Sequence, residues 1–333
     1  MRCRNVIPIV ALALVLVLAP NASAARASYH EDSDKVVLSN AHVTTWILAK
    51  QPVLKVFPTG ATVLAEIDHD EDRDVDDVEV AEAFTIRLDA LVEYRDMDGD
   101  GAPGPNEVVQ RLDLARGAWT AKGEIGEADA ATLVLTLEAP VAMGAPLAEP
   151  RLELPQRTAL VSLVLTLGAT EPSVAQELQV ERWPWLDAER HRLALDVLVD
   201  GALETAEEEG LLAAKVARAG TTLGVASWAT TATGTTADGA ETEVPVTAVA
   251  RPEAPAEARE GEAKDADATR VFLTYDAANV ATLAHGAGAG VPLRAGGEAD
   301  VPNLAERLRV PGPALLAAVG SLGAVALALG RRR

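Results

Sequence analysis

Period-two alternation of apolar and polar residues recurs along much of the chain and restricts its fold more than any other feature. The longest example, Phe84–Tyr94, places apolar or aromatic residues at every second position. Successive side chains of a β-strand point to opposite faces of a sheet, so this pattern predicts strands with one buried face. Similar short apolar or alternating stretches lie at 36–38, 43–48, 133–137, 163–167, 193–199, 244–249 and 271–275. With turns rich in Gly, Pro and Asp between them, they predict one or two antiparallel β-sandwich-like domains in a mostly β protein.

The net charge and the cysteine content exclude several kinds of binding partner and several kinds of functional site. The chain has 333 residues and a formal net charge of −21. Nucleic acids and anionic lipid surfaces carry the same sign, which argues against both as direct partners. The single cysteine, Cys3, lies at the extreme N-terminus, so the folded part has no disulfide framework, Cys-ligated zinc site or catalytic thiol.

Helical periodicity is rare, and composition shifts divide the chain into regions. Residues 202–219 are the best candidate helix, but Gly210 interrupts them, and a strand–loop–strand fits equally well. The acidic stretch 251–268, rich in Pro and Ala, predicts a solvated loop or linker. The predicted regions are a signal peptide (1–24), a β domain (25–170), a second β region (171–294), a stalk (295–310), a transmembrane helix or sorting signal (311–330) and an Arg tail (331–333).

The N-terminus has the three parts of a secretory signal. Arg2 and Arg4 precede an apolar stretch at 6–19, and the small residues at 22–24 suit a signal peptidase. Cys3 precedes the apolar stretch, which argues against a bacterial lipoprotein. Export from the cytoplasm is therefore predicted.

The C-terminus predicts attachment to the membrane. Residues 314–330 are apolar and uncharged, and Arg331–Arg333 follow directly. A helix of about 20 apolar residues spans a bilayer, and terminal arginines stay on the cytoplasmic side. The remainder of the protein would then lie on the outer face of the cell membrane.

A known class of sorting signal resembles this tail. A Pro-Gly motif at Pro311–Gly312, an apolar span and a terminal Arg cluster are similar to the archaeal PGF-CTERM signals, with Pro313 in place of the Phe. The resemblance implies cleavage by an archaeosortase and replacement of the helix by a lipid anchor.

One motif in the chain carries recognisable chemistry. Asp96, Asp98 and Asp100 alternate, Gly101 follows, and Glu107 ends a stretch of twelve residues. This spacing is that of the EF-hand calcium loop, in which alternate carboxylates converge on a hard cation and a glycine allows the sharp turn. An acidic turn without metal is the alternative, but three converging aspartates repel one another unless a cation neutralises them.

The same stretch differs from an EF-hand in its surroundings. Phe84–Tyr94 before it and residues 108–114 after it favour strands over helices, and Pro103 removes the backbone donor through which paired EF-hands join. A lone Ca²⁺ loop capping a β-hairpin is therefore predicted, with a structural role and a Kd on the order of 10⁻⁴ M. The predicted ligands are Asp96, Asp98, Asp100, Ala102 through its carbonyl, Gly104 through water, and Glu107. A second acidic run at 68–77 predicts a solvated loop or, alternatively, another ion site.

Catalytic motifs are absent from the sequence. The five histidines are scattered, and no nucleophile elbow, metalloprotease helix or P-loop occurs. Trp183 and Trp185 predict either a pair of core side chains or a platform for sugar stacking. The sequence thus favours an exported, membrane-anchored surface protein with a structural, adhesive or ligand-binding role and leaves its protein or glycan partner unknown. A tethered extracellular hydrolase acting on polysaccharide is the alternative.

Overall fold

A computed structural model describes most of the region between the two predicted membrane-targeting ends. The described residues are 24–30, 35–48, 52–61, 63–67, 77–80, 82–123, 126–143, 157–208, 211–252, 268–277 and 280–292. Several segments with a predicted role lie outside these ranges. They are the signal peptide up to residue 23, the acidic run at 68–76, the loop at 253–267, the stalk and the C-terminal segment. The described part of the chain contains no helix long and apolar enough to cross a bilayer.

The prediction of a mostly β protein is confirmed. The strands are β1 (Ala25–His30), β2 (Lys35–Ser39), β3 (Val43–Leu48), β4 (Val53–Pro58), β5 (Val63–Ile67), β6 (Asp77–Val80), β7 (Phe84–Tyr94), β8 (Val108–Asp113), β9 (Thr120–Gly123), β10 (Gly126–Ala128), β11 (Ala130–Pro140), β12 (Ala142–Met143), β13 (Thr158–Gly168), β14 (Ser173–Glu181), β15 (Arg192–Val199), β16 (Ala202–Glu208), β17 (Leu211–Arg218), β18 (Thr221–Ala229), β19 (Thr231–Thr236), β20 (Glu241–Pro252), β21 (Thr269–Tyr275) and β22 (Val280–Gly290). Residues 202–219, left open between helix and strands, form the antiparallel pair β16 and β17.

Twenty of the strands form one antiparallel sheet that is arranged in two layers, and β20 takes part in both. Residues 241–245 of β20 pair with β19, and residues 246–252 pair with β21. Layer 1 runs β10–β1–β2–β3–β4–β7–β15–β21, with β8 beside the second half of β7 and β12 beside β8. Layer 2 runs β9–β11–β13–β14–β22, and the far side of β22 pairs with β18 and β19 in succession. Beyond β18, layer 2 continues with β17 and β16. The separate pair β5–β6 completes the described strands.

The inner faces of the two layers enclose a single core made mostly of aliphatic side chains. Leu54, Leu195 and Val197 come from layer 1, and Leu163 and Leu283 come from layer 2. All are almost completely buried. Strands from before and after residue 170 pair directly with each other, as β13 does with β14 and β7 with β15. The described residues on both sides of the predicted boundary therefore share one core.

A β-bulge in β7 changes which of its residues face the core. Ala90 and Leu88 lie opposite consecutive residues of β15, so Asp89 is an extra residue on β7. Phe84, Ile86 and Leu88 face the core before the bulge, and Leu91 faces it afterwards. The alternation read from the sequence kept residues 84, 86, 88, 90, 92 and 94 on one face, and this is wrong beyond Asp89. Ala90, Val92 and Tyr94 instead form a cluster of their own on the outer face of layer 1.

An ion cluster lies on this outer face beside the bulge. The Nη1 atom of Arg270 lies 2.7 Å and 2.8 Å from the two carboxylate oxygens of Asp196 and 3.1 Å from Asp89, which also accepts a hydrogen bond from Arg87. Burial raises the pKa of Asp196, and the positive charge of Arg270 opposes this effect. Pairing with arginines therefore compensates the burial of two carboxylates, those of Asp89 and Asp196.

Candidate metal centre

The acidic motif forms the connection of a β-hairpin, as the sequence predicts. β7 ends at Tyr94 and β8 begins at Val108, and the backbone N–H of Arg95 donates to the carbonyl of Glu107 at 3.0 Å to close the loop. Gly101, at the predicted turn position, has φ of +78°, where a residue with a Cβ is strained. The two flanking elements are strands, so this is not a helix–loop–helix site.

The loop folds back over the outer face of layer 1 instead of projecting from the hairpin. The carbonyl of Gly101 accepts hydrogen bonds from the Tyr94 hydroxyl at 3.0 Å and from Thr274 Oγ1 of β21 at 2.9 Å. Ala102 is fully buried, and the side chain of Val249 on β20 lies 3.8 Å from the position of a Cβ on residue 101. The loop therefore rests on β7, β21 and β20, next to the outer apolar cluster of Ala90, Val92, Tyr94 and Ala194.

Three of the predicted ligand side chains converge. Carboxylate oxygens of Asp96, Asp98 and Glu107 all lie within 4.8 Å of one another. Oxygens that each lie 2.3–2.6 Å from one Ca²⁺ ion are separated by at most about 5 Å, so the spacing suits this ion. Three anionic oxygens at this separation also match the preference of a hard divalent cation for carboxylates.

Backbone hydrogen bonds hold Glu107 in its position at the end of the motif. Its Oε1 accepts from the Met97 N–H at 2.8 Å, and its Oε2 accepts from the Gly104 N–H at 2.7 Å. A Cβ on residue 104 would lie 2.9 Å from that Oε2, so glycine is needed for this close approach. Glu107 is only 6% exposed. The buried carboxylate of Glu107 is thus fixed in position beside Asp96 and Asp98. Water-mediated coordination at Gly104 remains a prediction.

Asp100, the fourth predicted carboxylate, does not join the other three. Its Oδ1 accepts from the Ala102 N–H at 2.9 Å, and its Oδ2 pairs with Arg251 of β20. Arg192 of β15 likewise lies 3.2 Å from Asp96. The two arginines offset half of the negative charge of the loop's four carboxylates and tie the loop to β20 and β15. Coordination by Asp100 and by the Ala102 carbonyl stays a prediction.

A second polar centre, which sequence reasoning missed, lies on the core side of the same hairpin. Glu93 is completely buried, and its carboxylate lies among five donors. These donors are Gln110 Nε2, Trp183 Nε1, the backbone N–H groups of Leu186 and Asp187, and His191 Nδ1. Four of the five belong to residues 183–191, the connection between β14 and β15. Glu93 therefore fastens this connection to the hairpin that carries the acidic loop.

The environment of Glu93 suits a structural role for its carboxylate. Its four neighbours other than His191 are N–H groups that can only donate, so the carboxylate oxygens act as acceptors, and His191 Nδ1 lies 2.7 Å from Oε1. Trp183 is nearly buried in the core, and Trp185 packs against the core while it stays partly exposed. This agrees with the prediction that the two residues are core side chains. The only sequence signal for Glu93 is that a charged residue lies inside a strongly apolar strand. Because the bulge at Asp89 shifts the alternation, the sequence pattern assigns Glu93 to the wrong face of the strand.

Comparison with known proteins adds no family assignment. No protein-family model matches the chain, and no curated protein matches its sequence. The site's function therefore rests on its own geometry.

Proposed function

We propose that the protein is an exported, membrane-anchored surface protein in which one EF-hand-like calcium loop stabilises a β-hairpin. Its role at the cell envelope would be structural, adhesive or ligand-binding. The convergence of Asp96, Asp98 and Glu107 within 4.8 Å carries the calcium part of this proposal. The sequences of the two ends support the export and anchoring parts.

The position of the loop explains how an ion would stabilise the fold. When bound, Ca²⁺ would supply the positive charge that offsets repulsion among the three carboxylates. The loop in turn packs on the outer face of layer 1, where Val92, Tyr94 and Ala194 are buried in the cluster beside it. Holding the loop closed therefore keeps apolar surface away from water, and the expected consequence is a gain in stability.

A thermal melt of the purified protein with EDTA and with millimolar Ca²⁺ tests the proposal. Ca²⁺ at ten to a hundred times Kd should stabilise the wild type by about 1.4–2.7 kcal/mol, since it binds only the folded state. Asp96→Asn is the sharpest variant, because the first position of the motif requires aspartate. Asparagine keeps the oxygen that accepts from the Gly99 N–H, but it replaces the other oxygen by NH₂ and removes the charge. Asp113→Asn is the matched control, since Asp113 Oδ1 makes a similar turn bond to the Arg116 N–H outside the site.

Each outcome of the melt has a definite meaning. A calcium-dependent shift in the wild type and in Asp113→Asn, but a much smaller one in Asp96→Asn, supports the site. An equal shift in all three proteins would show that Ca²⁺ acts on the acidic surface as a whole. The absence of a shift in the wild type would refute a calcium loop.

Membrane attachment is tested separately by fractionation. The full chain and a chain that ends at residue 310 are expressed, and their membranes are washed at high pH and sedimented. The full chain should remain in the pellet, because residues 311–330 or a lipid that replaces them anchor it. Release of the full chain together with the shortened one would contradict the anchor.

A further inference from the structure

A histidine connects the two layers in the middle of the core. His285 lies on the inner face of β22 and is 2% exposed. Its Nε2 lies 2.8 Å from the carbonyl of Ala229 in the same layer, and its Nδ1 lies 3.0 Å from the hydroxyl of Tyr275 in layer 1. The two rings meet edge to face, with centroids 5.3 Å apart.

These two contacts define the protonation of the neutral ring. A carbonyl oxygen only accepts, so Nε2 carries the proton and donates to Ala229. In the neutral imidazole Nδ1 is then an acceptor, and the Tyr275 hydroxyl donates to it. The bond between the layers therefore uses the one ring nitrogen that an added proton would occupy.

The space beside the ring offers nothing that would stabilise a positive charge. A small cavity between the layers is lined mostly by aliphatic side chains such as Ile86, Leu163 and Leu195, together with Trp228 and the amide of Gln176. No charged side chain occurs among these residues. Nε2 of Gln176, a further hydrogen-bond donor, is buried without a partner among the described residues.

Most charged residues of the strands around the cavity lie on the outer faces. The exception is Glu93 of β7, which is buried on the inner side of layer 1 among its own hydrogen-bond partners at the 183–191 connection. Asp89 of β7 and Asp196 of β15 pair with arginines on the outer face of layer 1, and Glu177 of β14 alternates outward from the inward-facing Gln176 and Leu178. β13, β18 and β22 bring no other ionisable side chain. Tyr275 of β21 is the titratable group in contact with the ring, and burial raises its pKa. Glu93, another ionisable group on this inner face, lies two strands from Tyr275, opposite Leu193.

We propose that His285 is an acid-sensitive switch between the two layers. A proton from solvent adds to Nδ1, which can then no longer accept a hydrogen bond from the Tyr275 hydroxyl, and a charged ring is left beside a cavity that no charged side chain lines. Falling pH therefore weakens the packing of the two layers at this contact and favours their separation. The proposal is independent of calcium binding.

The sign and size of the effect follow from linkage. Burial lowers the pKa of His285 from 6.5 to about 4, so between these values the unfolded state binds a proton that the folded state does not. Stability due to this group is therefore complete above pH 6.5 and is lost as the pH falls toward 4. A single histidine with these two pKa values raises the unfolding equilibrium constant about 100-fold between pH 7 and pH 4.

Urea unfolding of the wild type and of two histidine variants at pH 7, 5.5 and 4 separates the contribution of His285 to stability from that of the carboxylates. His285→Gln places a neutral amide that can donate to Ala229 and accept from Tyr275, and His42→Gln is the control at an exposed histidine. From pH 7 to pH 4 the unfolding constant of the wild type and of His42→Gln should rise about 100-fold more than that of His285→Gln. Equal rises in all three proteins would overturn the proposal.

Nuclear magnetic resonance of the wild type with labelled histidine rings covers the case in which His285→Gln does not fold. The ring of His285 should show the neutral form protonated at Nε2 at pH 5.5 in the folded protein. A charged ring at that pH in the intact fold would also overturn the proposal.

Discussion

Replacing Glu93 by glutamine tests whether one buried carboxylate holds the 183–191 connection against the hairpin. Glutamine has nearly the same shape, but it exchanges one acceptor oxygen for an NH₂ group and removes the charge. In the native protein Oε1 lies 3.0 Å from the Leu186 N–H and 2.7 Å from His191 Nδ1. Oε2 accepts from Gln110 and lies 3.1 Å from Trp183 Nε1. The new NH₂ group therefore faces two donors in either orientation of the amide.

The expected cost follows from the number of donors left without an acceptor. A buried polar group that loses its partner costs about 1–3 kcal/mol, and bonds to a charged acceptor are at the upper end of that range. Two such donors predict that Glu93→Gln lowers the free energy of unfolding by about 3–5 kcal/mol. Domains are commonly stable by only 5–15 kcal/mol, so the loss would be a large fraction of the whole.

Urea unfolding followed by tryptophan fluorescence measures this loss, because Trp183 and Trp185 both lie in the connection. Glu138→Gln is the matched control, since the Glu138–Arg182 pair is more than half exposed on both sides and such pairs contribute about 0–1 kcal/mol. A loss of less than about 1 kcal/mol in Glu93→Gln would show that the connection does not depend on the carboxylate, and the structural role assigned to Glu93 would be refuted.

Two further substitutions test the packing of the layers and the ion cluster. A Cβ at Gly224 would lie 2.3 Å from the Phe84 ring of the opposite layer, so Gly224→Ala should cost about 1–3 kcal/mol in thermal unfolding, and wild-type stability would contradict this close contact. Arg270→Met removes the two short contacts to the buried carboxylate of Asp196 and leaves it with Arg111 at 3.9 Å, which should cost up to about 3–5 kcal/mol in urea. Arg116→Met, at an exposed arginine, should stay within about 0.5 kcal/mol of the wild type. Equal effects of the two arginine variants would argue against a buried pair.

Local sequence determined the strands and the hairpin of this protein. The alternation at 84–94 and the strand-compatible residues 108–114 predicted two strands around an acidic turn, and both strands are present with Gly101 in the left-handed region. These features depend on side-chain period and on backbone conformations that neighbouring residues set, so the sequence alone suffices for them. The grouping of Asp96, Asp98 and Glu107 was predicted for the same reason, because all three belong to one short loop.

The tertiary structure alone decided what the strands and the loop pack against. One extra residue at Asp89 reverses the two faces of β7, which sends Glu93 inward and Tyr94 outward beneath the loop. Whether a strand contains a bulge depends on its partner strand, and no local pattern in β7 marks it.

Contacts between distant residues account for the remaining features of the site and the core. His191 meets Glu93 across 98 positions of sequence, and Thr274 meets Gly101 across 173 positions. Arg251 draws Asp100 away from the other carboxylates of its own motif in the same way. Such pairs form only when the two layers and their strand order bring them together, because composition and period describe one segment at a time. The sequence therefore determined the strands and the acidic turn, and the packing of strands remote in sequence decided the surroundings of each charged group.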